Sequence, residues 1–168
     1  MSTPSSVLVG SLGRTVWLKV NGRGTFQSSP GVKEFVKQMI RRGHREFVVD
    51  LDACELMDST FMGTLAGVAL RLRDIGQGGL RAVNVNDRNA ALLENLGLDH
   101  LFAVETGHLA DAPEKLRQPD PVRDEDPKET VLQAHEALIE ADAQNAVKFK
   151  DVVEYLRQEL EQENGAED

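Results

Sequence analysis

An α/β domain, a mixed sheet of about five strands covered by helices with an additional long helix at its C-terminal side, is the fold this sequence predicts. Two observations carry the domain. Short β-branched and apolar runs alternate with helical stretches from Val7 to about residue 108. Strand–helix–strand alternation requires crossover connections, and so a sheet with parallel pairs under helices. The run Phe47-Val48-Val49-Asp50-Leu51 is nearly all apolar, as a strand covered on both faces is. A third observation carries the extension: Lys128 to Gln162 contains neither glycine nor proline and has an apolar stripe of helical period.

Val7-Leu8-Val9 and Thr15 to Val20 flank the turn Gly13-Arg14 and form an N-terminal hairpin. Asn21-Gly22-Arg23-Gly24 then breaks the strand pattern, and Phe26 returns to the core. Ser28-Ser29-Pro30 starts a helix, with Pro30 tolerated in the first turn. Val32, Phe35, Val36, Met39 and Ile40 give that helix its inner face, and Gly43 stops it. After the strand Phe47 to Leu51 a second helix runs from Ser59 to Ile75. It carries Phe61, Met62, Leu65, Val68, Leu72 and Ile75 inward, and Gly63, Ala66, Gly67 and Ala69 allow close approach of neighbouring backbone. Gly76-Gln77-Gly78-Gly79 turns into the strand Leu80 to Val85. Asn86-Asp87 caps a third helix from Arg88 to Asn95, and Leu101 to Val104 is a last edge strand.

The domain organisation expected is therefore residues 5–108 as the α/β domain, 109–127 as a linker, and 128–163 as the helical extension. The linker assignment follows from Pro113, Pro119, Pro121 and Pro127 among charged residues, a semi-extended composition. In the extension Leu132, Ile139, Ala146, Val153 and Leu160 recur every seven residues, with Phe149 and Leu156 in the row between. His135 and Asp142 interrupt that second row, which argues against a plain coiled coil. The stripe must be buried against its own domain, a second copy of the chain in a homodimer, or another protein.

Composition excludes several classes of function. The net charge of −9 disfavours nonspecific binding to nucleic acid or to anionic membranes. Aromatic residues at 5% cannot supply a stacking surface for single strands. One cysteine, Cys54, allows no intramolecular disulfide and no Cys-rich metal site. No apolar run is long enough to span a bilayer, and MSTPSS has neither a basic nor an apolar leader region, so a cytoplasmic protein without membrane insertion is expected.

The chemistry-bearing residues concentrate between Asp50 and Thr60. Asp50, Asp52, Glu55 and Asp58 around one loop read as a solvated strand end with turn and cap residues rather than a metal or acid–base site. His44, His100, His108 and His135 have no ligand spacing, and Cys54 reads as loop packing. No catalytic residue, metal ligand or cofactor is expected. Ser59 is the residue of interest. At a helix start it is a capping group worth about 1 kcal/mol. It also lies among free backbone N–H groups at the positive end of the dipole, where an added phosphate is tolerated by the fold.

The order of elements, Asp58-Ser59-Thr60 opening a helix after a buried strand, Gly63 four residues beyond that serine, and the strand end Asn84-Val85-Asn86 before a helix together resemble the STAS domain. That family is named for sulphate transporters and anti-sigma factor antagonists. The resemblance covers roughly residues 5–108. Antagonists of this family carry Asp-Ser-Ser/Thr-Gly-Leu-Gly, whose first serine a partner kinase phosphorylates. Matched position by position, that serine is Ser59. This chain departs from the motif at Phe61, where glycine is usual, and at Met62, where leucine is usual.

The resemblance implies a regulatory binding module, not an enzyme, that docks Asp58, Ser59, Thr60, Phe61 and Met62 onto a partner. That partner is an anti-sigma factor and serine kinase of the histidine-kinase-like ATPase type, and a serine phosphatase resets the switch. The alternative is a STAS subunit that is never phosphorylated and serves as scaffold in a signalling or lipid-transport complex, assembled through the C-terminal helix. A Ser59 hydroxyl buried beneath that helix would imply autoinhibition or no switching.

Overall fold

The computed structural model describes residues 4–108 and 111–166. Its centre is a mixed sheet of six strands: β1 (Ser6–Leu12), β2 (Thr15–Gly24), β3 (Glu46–Asp50), β4 (Cys54–Met57), β5 (Gly79–Val85) and β6 (Ala103–Thr106). The order is β1-β2-β3-β5-β6, with β4 paired to the far end of β2. Only β1 and β2 are antiparallel, closed by a turn in which Gly13 has φ +60°. The pairs β2–β3, β3–β5 and β5–β6 are parallel, each bridged by a helix, as the alternation predicts.

β2 is longer than its sequence pattern indicates. Asn21 to Gly24 does not break the strand but extends it, because Gly22 adopts φ +71° and the register shifts between Gly22 and Arg23. This irregularity passes β2 from its partner β3 to its second partner β4. Cys54, expected in a loop, is the first residue of β4. The last strand begins two residues later than the apolar run, at Ala103, because Leu98–His100 forms a 3₁₀ turn and Phe102 is drawn into the core.

The helices are α1 (Ser29–Arg41), α2 (Ser59–Ile75), α3 (Asp87–Asn95), α4 (Pro127–Ala141) and α5 (Asn145–Ala166). α1 buries Val32, Phe35, Val36, Met39 and Ile40, the face its period predicts. α2 matches its expected bounds because both ends carry local signals: the Asp58 side chain caps one, and Gly76 at φ +85° closes the other. Asn86 caps α3, its side-chain oxygen accepting the Asn89 N–H at 2.8 Å.

The stretch Lys128–Gln162, read as one helix, contains a break at residues 142–144, so the long C-terminal helix α5 is preceded by the shorter α4. Asp142 is extended (φ −150°, ψ 116°), and its carboxylate accepts the Gln144 N–H at 3.0 Å. Asn145 is buried, and its amide donates to the Leu138 carbonyl at 2.7 Å and to the Leu96 carbonyl at 2.9 Å. Carbonyls at two helix ends are thereby satisfied by one side chain. The apolar stripe then closes on itself. Leu132, Val153 and Leu156 are buried between the two helices, flanked by Val131, Ile139 and Leu160. Arg157–Glu136 and Lys128–Glu159 pairs cross the hairpin at 3.0 and 3.6 Å.

Proceeding outward from the sheet, α4 lies on α2 and α5 lies on α4. Leu138 of α4 is fully buried and joins the main core. Between β6 and α4 the chain runs as a strap. Val9 N–H donates to the Arg117 carbonyl at 2.6 Å, and Arg117 N–H returns to Val9 at 3.0 Å, so the strap bridges the open edge of β1. The Arg117 guanidinium stands 5.8 Å from the Phe35 ring centre.

Candidate functional site

The β4–α2 junction sets the site. Asp58, not Ser59, is the N-cap: its Oδ1 accepts the Phe61 N–H at 2.8 Å and its Oδ2 accepts the Phe26 N–H at 2.9 Å. One carboxylate thus starts α2 and ties it to the segment after β2. The capping role expected of Ser59 therefore falls to its neighbour, and Ser59 is the first helical residue. Its hydroxyl is half-buried and lies 2.9 Å from Nε2 of His135 on α4.

His135 is 5% exposed, and three contacts fix its ring. Nδ1 is 2.7 Å from the Val131 carbonyl. A carbonyl only accepts, so Nδ1 carries a proton. Nε2 and the Ser59 hydroxyl then share the ring's second hydrogen bond. Phe149 of α5 meets the imidazole edge-on, with centroids 4.8 Å apart and planes at 67°. A serine hydroxyl on an oriented imidazole is a nucleophile–base geometry, yet the crevices along α1, α2 and α4 are lined by neither residue. The arrangement holds a hydroxyl in place beneath a helix.

One turn along α2, Gly63 lies directly under α4. A Cβ built there would stand 2.6 Å from the Ala134 carbonyl carbon and 2.8 Å from its Cβ. The two backbones are in contact at this point, and only glycine allows it. Gly67 meets α4 more loosely, its built Cβ lying 4.0 Å from that of Ala137.

Of the five residues expected to face a partner, Asp58 and Ser59 are partly accessible, whereas Thr60, Phe61 and Met62 are buried. Phe61 points into the core against Gly24, whose built Cβ would stand 2.6 Å from the ring. The bulky residue at this motif position is thus absorbed by a glycine on β2 and does not reach the surface.

The acidic residues disperse. Asp50 is buried, its Oδ1 accepting the Asn84 amide at 2.9 Å and the Asp52 N–H at 3.0 Å. Asp58 caps α2, and Glu55 is exposed. Among the described residues no three His, Cys, Asp or Glu side chains are placed to hold a metal ion. Burial pushes the Cys54 thiol up. His108 sits between Asp111 at 2.8 Å and Asp52 at 3.5 Å, and these carboxylates raise its pKa above 6.5, Asp111 most. Among the described residues no helix is long and apolar enough to cross a membrane.

His135 is the residue that sequence reasoning passed over. Its signal was present as a polar side chain in the row that Phe149 and Leu156 continue; its partner, 76 positions away, was not.

No curated protein matches the chain by sequence. Among solved structures, it is similar to an anti-sigma factor antagonist from Mycobacterium paratuberculosis, 20% identical over 61% of this chain and 86% of that one, TM-score 0.53. The anti-sigma factor antagonist SpoIIAA in its unphosphorylated form is 16% identical over 60% of this chain and 89% of that one, TM-score 0.53. The same protein, as the Bacillus cell fate determinant in the phosphorylated form, is 16% identical over 60% and 92%, TM-score 0.51. At these identities the likeness is one of fold. Residues 7–105, more than half of the sequence, match the family described as "Mlab, STAS domain", and the chain belongs to that family.

Proposed function

We propose that this chain is a regulatory protein-binding module of the anti-sigma factor antagonist kind, switched by phosphorylation of Ser59 in a cytoplasmic partner-switching pathway that controls transcription. Unphosphorylated, the face around Ser59 and α2 docks onto an anti-sigma factor kinase of the histidine-kinase-like ATPase type and so releases what that factor holds. A phosphate adds about −1.5 to −2 charge, which an interface must desolvate. A penalty of about 3 kcal/mol weakens binding more than a hundredfold. ATP belongs to the kinase, a serine phosphatase restores the hydroxyl, and this chain needs no cofactor of its own.

The observation that carries this reading is the division of labour at the start of α2. Asp58 takes the cap, so the Ser59 hydroxyl is not required by the helix end, and its modification leaves the start of α2 capped. The test is a pull-down from the source cell with full-length Ser59→Ala and Ser59→Asp chains, with phosphopeptides of the wild type mapped by mass spectrometry. Retention of an ATPase-type kinase by Ser59→Ala, its loss with Ser59→Asp and phosphate on Ser59 are expected. Equal capture by both variants would overturn the reading.

A second reading draws on the cover over Ser59: a scaffold STAS subunit of a signalling or lipid-transport complex, never phosphorylated. Val147 and Tyr155, exposed on α5 at 92% and 60%, are its contact surface, to another protein or a second copy. Unmodified Ser59 together with co-purification of a stable complex that Val147→Glu and Tyr155→Glu disrupt is the outcome that favours it.

A further inference from the structure

We infer that the α4–α5 hairpin is a built-in occupant of the α2 face, latched by the Ser59–His135 hydrogen bond, and that hairpin closure and a phosphate on Ser59 exclude one another. The inference deepens the switching reading above and rests on it for the claim that this face meets partners. Hairpin and partner compete for α2, so the unphosphorylated chain docks from its open form, and a phosphate that opens the hairpin still opposes docking by its own charge.

α2 is buried nearly all round: Phe61, Leu65 and Leu72 are covered, and so are Gly63, Ala66 and Ala69. A helix without a polar face needs cover on both sides. The family match ends at residue 105, so α4, which covers the outward side through Gly63 and Gly67, comes from outside the family domain. Ser59 and Gly63 are four residues apart and share one face of α2. At Gly63 the helices touch backbone to backbone, and at Ser59 the gap is a single 2.9 Å hydrogen bond.

A phosphate does not fit that gap. Phosphoryl transfer from ATP forms the Ser59 O–P bond, breaks the bond to the ADP oxygen and sends the hydroxyl proton to water. In its place stands a phosphoryl group with three more oxygens, for which a 2.9 Å contact beside a backbone-to-backbone helix seam has no room. The ring is held on two sides, by the Val131 carbonyl and by Phe149. The stress is therefore relieved by lifting α4. Few core residues have to move for this: the described residues 111–126 contain no helix, and of the hairpin Leu138 lies in the main core, with Ala137, Ala141 and Phe149 packed against it. By linkage the coupling runs both ways. A closed hairpin withholds the hydroxyl from a kinase, and a phosphate holds the hairpin open.

The test places phosphoserine at position 59 of the full chain by codon suppression and compares hydrogen–deuterium exchange with the unmodified protein. Amides of residues 127–166 should exchange about tenfold faster or more, while those of β3 and β5 keep their rates. Gly63→Val, which wedges the same seam without adding charge, should accelerate the same amides. Unchanged hairpin protection in the phosphoserine protein overturns the inference. So does equal acceleration in β3 and β5, because the hairpin is then no separate unit. So does a Gly63→Val chain whose hairpin stays protected. None of these readouts needs a kinase or partner, so failure of the pull-down and failure of this inference are distinguishable.

Discussion

Asp58 and Ser59 are adjacent oxygen-bearing side chains at one helix start, and geometry assigns them separate tasks. Asp58 accepts two backbone N–H groups from different segments, Phe61 and Phe26. Its loss uncaps α2 and frees the segment after β2, so Asp58→Ala should lower stability by about 1–2 kcal/mol in denaturant unfolding. Asp58→Asn keeps one acceptor oxygen and should recover part of that loss. Equal stability of Asp58→Ala and wild type would remove the cap assignment. Cys54 gives a second prediction at this scale. It is 2% exposed, and its thiol titrates above the usual value because burial penalises the thiolate. An aromatic disulfide reagent at pH 8 should react with it orders of magnitude more slowly in the folded chain than in guanidinium. Immediate reaction in the native state would mean β4 opens readily.

At the scale of the element, the α2–α4 seam makes two glycines of one helix behave oppositely. Gly67→Ala adds a methyl at ordinary contact distance from Ala137 and gains helix propensity, so stability should hold or rise by up to about 1 kcal/mol. Gly63→Ala drives a methyl into the Ala134 carbonyl and should destabilise by several kcal/mol or unseat α4. Thermal unfolding of the pair checks the seam, and a harmless Gly63→Ala would refute it. The same element shows what a sequence carries and what it does not. The bounds of α2 were legible because Asp58 and Gly76 are local signals. The small residues on α2 announced a close neighbour without saying which. The break at Asp142–Gln144 was not legible, because Asn145 turns the chain by bonding the Leu96 carbonyl, a partner supplied only by the folded domain. β2 ran past its glycines for a similar reason: β4, its second partner, lies 33 residues downstream in the register Gly24↔Met57. Ser59 was legible as a helix-start serine, and its imidazole partner was not.

For the whole molecule, the question is what joins the sheet, the strap and the hairpin in a chain of net charge −9. The strap is bridged to the edge of β1 by the Val9–Arg117 pair. At its opposite end His108 stands between Asp52, after β3, and Asp111, at the strap's beginning. Two carboxylates around one imidazole stabilise its protonated form, which raises its folded pKa above 6.5, with Asp111 the larger cause. A folded pKa raised above the unfolded value gives stability that is full below about 6.5, the unfolded reference, and is lost as pH rises through the folded value. The clasp therefore favours the closed strap on the acid side and releases it on the alkaline side. The group is exposed, so solvent and salt screen it and the effect is local. Followed by NMR, the His108 ring should titrate with a midpoint above 6.5. Asp111→Asn should lower that midpoint more than Asp52→Asn does, and exchange of the amides near Asp111 should quicken in the wild type as pH passes the midpoint beyond the intrinsic base-catalysed rise. A midpoint at or below 6.5 that neither substitution moves would show that the carboxylates do not hold the imidazolium and that the strap closes without it.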